Sequence, residues 1–304
     1  MNRAASITAI AAAARSAALV FSFSLAGLAQ TAPNFNPAEL VRKTVQNEIA
    51  ASDDSAARFM FRGTKSTWKG STTKIYVETR EGTAGMIAAY NGKPLTQQQR
   101  QDEEARVDRF LKNPDELRKK RAQEREDADR TMRIVRALPD AFVYEYAGQE
   151  TGTNGIGHAG DPLVRLKFHP NPRYKPPSRV EEVLTGMQGD LLLDEAHYRI
   201  ASIDGTLFKE VGFGWGILGH LDQGGHFVVH QQDVGDNVWE ISSMRLKFTG
   251  KILLVKSLFI ESTEVFDAFR RVPPDLTFAQ AVQMVKKEDA GSAESPMATS
   301  DGRR

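Results

Sequence analysis

The sequence predicts an α+β fold in which a long, curved antiparallel sheet wraps around an early helix, with a charged helical insertion. Three observations carry this expectation. One apolar stripe with a spacing of four stands near the start, a two-residue apolar period then recurs over most of the chain, and a block dense in both charges interrupts it. Roughly nine or ten strands and one early helix fit one sheet wrapped on that helix.

The first sixteen residues hold Arg3 and Arg15 and no acid, and they lead into an apolar run from Ala17 to Leu28. This is the layout of a secretory signal peptide, with Gly27 and Ala29 as the small residues before a cut after Ala29. Residues 1–29 are therefore expected to be removed on export to the periplasm. The apolar run is shorter than the roughly 20 residues that span a bilayer, so no integral membrane segment is expected after cleavage.

Residues 30–288 read as a single β-rich domain. Asn36-Pro37-Ala38-Glu39 is a helix start, and Val41, Val45 and Ile49 supply the stripe of a helix of about fourteen residues. From Ala57 the period is two: Phe59 with Phe61, Ile75 with Val77, then Met86 to Tyr90 ending in a tight turn at Asn91-Gly92. Later strands are expected at Phe142, Tyr144 and Tyr146, at Val164, Leu166 and Phe168, at Tyr198 and Ile200 before a turn at Asp204-Gly205, at Phe227 and Val229, and at Met244, Leu246 and Phe248. The run from Ile252 to Ile260 reads as one central strand.

Between Arg100 and Arg136 charged residues fill more than half of the positions, in acid-first pairs four apart such as Asp102 with Arg106 and Glu126 with Arg130. The insertion, residues 97–138, is expected to be two helices, the second running from about Pro114 to Leu138, held to the sheet by Val107, Phe110, Leu111, Leu117, Met132 and Val135. Leu276, Phe278, Val282 and Val285 predict a last short helix, and residues 289–304 read as a disordered tail.

Composition excludes several functions. The chain has no cysteine, which removes disulfides, thiol nucleophiles and lipid attachment through cysteine. A net charge of +1 shows no excess for nucleic acid. Gly214-Trp215-Gly216-Ile217-Leu218-Gly219 matches a dinucleotide fingerprint but stands among strands, where it marks a loop or bulge. Ser66-Thr67-Trp68-Lys69 lacks the companion motifs of penicillin-recognising enzymes. His226 and His230 would lie about 13 Å apart on one strand face, and His158, His169, His197 and His220 are scattered. The expectation is no catalytic constellation, no cofactor and no metal site.

In order of elements, the early helix, the Lys74 to Val77 strand, the Asn91-Gly92-Lys93 hairpin and the Asp190 to Asp194 strand followed by Tyr198-Arg199-Ile200 resemble outer-membrane lipoprotein carriers of the LolA and LolB kind and periplasmic regulators of the RseB kind. Through Pro172 to Ser178 and Phe213-Gly214-Trp215-Gly216 the chain also resembles a set of bacterial proteins sharing those segments. The resemblance implies an unclosed barrel whose apolar cavity takes a lipid or the acyl chain of a lipoprotein. The residues that pattern suggests for its lining are Phe59, Phe61, Trp68, Tyr144, Trp215, Trp239 and Phe248. The other function in view is a structural or regulatory role, in which the charged insertion docks an envelope protein partner.

Overall fold

The computed structural model describes residues 35–54, 57–213, 219–252 and 256–294. The expected signal peptide and Trp215 lie outside these residues. The chain opens with α1 (Pro37–Asp54), followed by β1 (Arg58–Thr67), β2 (Gly70–Thr79), β3 (Gly82–Tyr90) and the short β4 (Lys93–Pro94). Two helices, α2 (Gln97–Lys112) and α3 (Pro114–Ala141), precede β5 (Phe142–Thr151) and β6 (Pro162–Pro170). After the short α4 (Arg179–Glu182) and a 3-10 turn come β7 (Met187–Asp194), β8 (Arg199–Leu207), β9 (Val211–Phe213), β10 (Gly219–Leu221), β11 (His226–Asp233), β12 (Trp239–Ile252), β13 (Lys256–Val272) and α5 (Phe278–Glu294).

All strand pairings within the sheet are antiparallel, in the order β4-β3-β2-β1-β13-β12-β11-β8-β7-β6-β5, with β9 and β10 off this path beside β12. The outer strands β4 and β5 do not pair, so the sheet is not closed. This is the α+β architecture expected from the strand pattern, with the unclosed barrel that the resemblance implied.

Local signals account for many of the elements. Asn36 caps α1, its Oδ1 accepting from the Ala38 amide at 2.9 Å. Asn91 and Gly92 both take positive φ, 50° and 72°, as a two-residue hairpin turn needs. Thr96 and Gln99 form a reciprocal capping box at the start of α2.

The two ends of the sheet bury opposite faces. Ile75, Val77 and Met86 of β2 and β3 pack with Val107 of α2 and Val282 and Val285 of α5 on one face. The register carried across β1, β13, β12 and β11 places Ile203, Leu191, Leu166 and Tyr144 on the other, where they pack with Val41 and Val45 of α1 and Leu138 of α3. The α2–α3 pair links β4 to β5, the two open edges. Near its start α3 lies on the β2–β3 turn, with Leu117 in the first cluster and Glu124 accepting from Thr83, and its last turns enter the second.

Several expectations are corrected. The Asp204-Gly205 pair is not a turn but the interior of β8, and Gly205 is required because a Cβ there would meet the Phe227 ring at 2.3 Å. Tyr198, expected in the strand, stands instead in the β7–β8 turn with φ 51°, and β8 runs on to Leu207. Residues 252–260 are not one strand: β12 ends at Ile252, β13 begins at Lys256, and the two pair antiparallel, so the apolar run holds a hairpin. Helix α5 continues to Glu294, past the expected end of the domain at 288, with Asp289 buried and paired to Arg100 at 2.9 Å.

The insertion is held to the sheet as expected by Val107, Phe110, Leu117 and Val135, which pack in the two clusters. Its charges face water along much of α3, but Val107, Leu138 and Ala141 are fully buried in the two clusters. Leu111, expected to hold it to the sheet, is 38 % exposed. Replacing Leu138 by Ala should therefore destabilise the protein by about 3 kcal/mol in chemical denaturation. Leu111→Ala should change it by less than about 0.5 kcal/mol. Equal effects of the two would mean that α3 does not enter the core.

Candidate ligand-binding face

The face of the sheet that carries α1 and the end of α3 remains largely apolar beyond the helices, interrupted by the Lys65–Glu264 pair, whose glutamate stands opposite Met244. By register it continues through Phe227 and Val229 of β11, Met244, Leu246 and Phe248 of β12, Phe266 and Phe269 of β13, Phe61 of β1 and Tyr76 of β2. Each of these is half-buried, whereas the opposite face of the same strands carries Arg245, Lys247 and Glu261 exposed to solvent. The opposite face also exposes Phe259 and Val265, so the two sides differ in their share of charge, not in its presence.

Glycines make this floor flat. A Cβ at Gly63 would approach the rings of Tyr76 and Phe266 at 2.9 and 3.0 Å, and one at Gly225 would meet Phe248 at 2.5 Å. The rings therefore lie down over the backbone instead of standing away from it. At the far end Phe61 stacks on Tyr76 and on Phe269, at centroid distances of 5.1 and 5.2 Å.

Beneath α3 the floor ends in a cavity of about 50 Å³, lined by Leu138, Phe142, Tyr144, Leu191, Ile203 and Phe227 among others. An apolar cavity that admits benzene is about 150 Å³, so an acyl chain enters here only if α3 or α1 moves. Tyr144 donates to the Leu138 carbonyl at 2.7 Å, and burial pushes its phenol well above the ordinary range. Its hydroxyl is satisfied by the helix end, which leaves its ring as wall.

Outside the same stretch of α3 lies an open groove of about 550 Å³. Arg133 and Arg136 reach it from the helix, and Arg173 and Lys175 from the β6–α4 loop. Asp140 and Glu181 also line it. Among the described residues none of the four cations has a carboxylate within 4.0 Å. One helix thus separates an apolar cavity from a cationic groove. Sequence reading missed this because Arg136 and Arg173 are brought together only by the return of β6 along β5.

The sequence-derived lining residues scatter. Tyr144 is in the cavity wall, and Phe248 packs against the same cluster. Phe59 and Phe61 sit at the opposite end of the floor, Phe59 fully buried with Arg271 over its ring. Trp239 belongs to a separate cluster with Leu163, Leu192 and Ala201. Trp68 is 71 % exposed in the β1–β2 turn, because the strand period that suggested burial stops at Thr67.

Acidic groups border the floor. Glu48 of α1 accepts from Arg199 Nη2 at 2.9 Å and from the Ile200 amide at 2.8 Å, and burial raises its carboxyl in spite of the arginine. Burial first, and then the charge of Glu78, push the Glu240 carboxyl up to about 7, opposed by Arg199. A carboxylate with a raised folded pKa binds more protons folded than unfolded. Its presence therefore costs stability progressively as pH rises from its ordinary value of 4.5 to about 7. Glu240→Gln should gain roughly 2 kcal/mol relative to the parent at pH 8 and almost nothing at pH 4, read from denaturation midpoints at both. An equal effect at the two values would place Glu240 in water.

No family model and no curated protein matches the chain. Among solved structures, a crystal structure from Vibrio parahaemolyticus, described as an outer membrane lipoprotein-sorting protein domain, is similar over 81 % of this chain and 99 % of its own, at 9 % identity and a TM-score of 0.27.

Proposed function

We propose that the protein binds and carries a lipid, or the lipid part of a lipoprotein, in the cell envelope. The single observation behind this reading is the position of α3, with an apolar cavity and floor on one side and four unpaired cations on the other. An amphiphile with an anionic head satisfies both: the acyl chain extends along the floor and the head pairs with Arg133, Arg136, Arg173 and Lys175. The role needs no catalytic group. The export expected from residues 1–29 is consistent with it; among the described residues no helix is long and apolar enough to cross a membrane.

Native mass spectrometry of the purified protein after incubation with phosphatidylglycerol or phosphatidylcholine vesicles tests the reading. Bound lipid is expected, with phosphatidylglycerol preferred. A cation near an anionic lipid surface contributes about 1 kcal/mol, so the Arg133→Glu/Arg136→Glu variant should weaken the phosphatidylglycerol complex at least about 10-fold. No bound lipid of either kind, together with no uptake of an acyl fluorophore, would overturn it. Capture of a protein partner through the exposed charges of α3, without lipid, would favour the regulatory role instead.

A further inference from the structure

On the charged side of the sheet, away from the apolar floor, the β5–β6 loop meets the β7–β8 turn. The pairing of Leu163 with Asp194 sets Asp161, two residues ahead of Leu163, beside that turn. One donor atom each from Asp161, Asp194 and His197 lies within 4.8 Å of the others. Asp194 is fully buried. Its Oδ1 accepts from the His197 amide at 2.9 Å, and its Oδ2 stands 3.0 Å from His197 Nδ1. His158 stands beside the group, its Nδ1 3.2 Å from Asp161 Oδ2.

We propose that Asp161, Asp194 and His197 form a binding site for a divalent transition-metal ion of the zinc type, with His158 as the outer partner of Asp161. A buried carboxylate requires a hydrogen-bonded counter-charge, and the buried Asp194, like the half-exposed Asp161, is not paired to a lysine or arginine among the described residues. Only histidines face them. Zinc bonds to carboxylate oxygen and imidazole nitrogen are about 2.0–2.2 Å, which sets neighbouring ligands of a tetrahedral ion roughly 3.3 Å apart. The Asp194 and His197 atoms stand 3.0 Å apart, slightly closer than that, so a small opening of the pair admits the ion. Imidazole with carboxylate and no thiolate suits zinc and its first-row neighbours rather than magnesium or calcium.

The surroundings hold these groups in place. A Cβ at Gly152 would stand 2.2 Å from the His158 carbonyl, which leaves the loop folded tightly on itself. Gly157 donates to Gln231 at 2.7 Å, and Ser242 donates to Gly155, so the loop is fastened to β11 and β12. From the other side Asn47 of α1 donates to the His197 carbonyl at 3.0 Å. Half-exposed side chains of Asp161 and His197 leave the remaining coordination position open to water. A bound ion would clamp the loop to the turn on which α1 also rests. The three ligands are separated by up to 36 positions and follow no spacing motif, which is why the scattered histidines pointed to no metal.

Isothermal titration of the chelator-treated full chain with zinc chloride tests the site, with cobalt(II) absorption as a second readout. One equivalent is expected, with proton release and a melting temperature that rises with free zinc. His197→Gln and Asp161→Asn, both at half-exposed positions, should fold and should each weaken binding at least about 10-fold. Asp194→Asn should do the same if it folds, and the other two variants decide the matter if it does not. His220→Gln, in the separate Glu210, His220 and Asp222 group, should leave binding intact. Absence of zinc binding by the parent, or binding unchanged in His197→Gln and Asp161→Asn, would overturn the proposal.

Discussion

An open sheet that buries different faces at its two ends needs one element that reaches both, and α3 is that element. Nothing pairs β4 with β5, so hydrogen bonding alone leaves the sheet free to flatten. The helix that joins those edges enters the first hydrophobic cluster through Leu117 and the second through Leu138 and Ala141. Its long charged middle, paired within itself through Arg130 with Glu126 and Asp127, contributes little stability. The two apolar ends supply the hold.

Other features follow from this arrangement. Because α1 and the end of α3 cover only β5 to β8 of the apolar face, the aromatic floor from Phe227 to Phe61 is left half-covered. Because the last turns of α3 turn Leu138 inward and Arg136 outward, the cavity and the cationic groove share a wall. The buried Glu48–Arg199 pair joins the opposite end of α1 to β8.

The strands and helices were legible in the sequence where local pattern and final environment agree. Asn36, Asn91-Gly92, the Val41–Val45 stripe and the Ile75–Val77 alternation are such cases. Legibility failed where a local signal served a non-local purpose. Asp204-Gly205 reads as a turn, yet the glycine makes room for a ring from another strand, and the apolar run to Ile260 hides a chain reversal. The hold of the insertion through Val107, Phe110, Leu117 and Val135 was legible, whereas the burial of Leu138 and the exposure of Leu111 were not. The sites were less legible than the fold. Arg136 with Arg173, and Asp161 with His197, become neighbours only through strand register, which no spacing along the chain records.

The central claim is that the ligand lies on the α1/α3 face of the sheet and not on the face that carries α2 and α5. Intermolecular nuclear Overhauser effects between a carbon-13-labelled acyl chain and the protein's methyl groups address it directly. The account predicts cross-peaks to Leu138, Leu191 and Ile203 and none to Ile75, Val107 or Val282. Cross-peaks confined to the second set, or to neither, would contradict it.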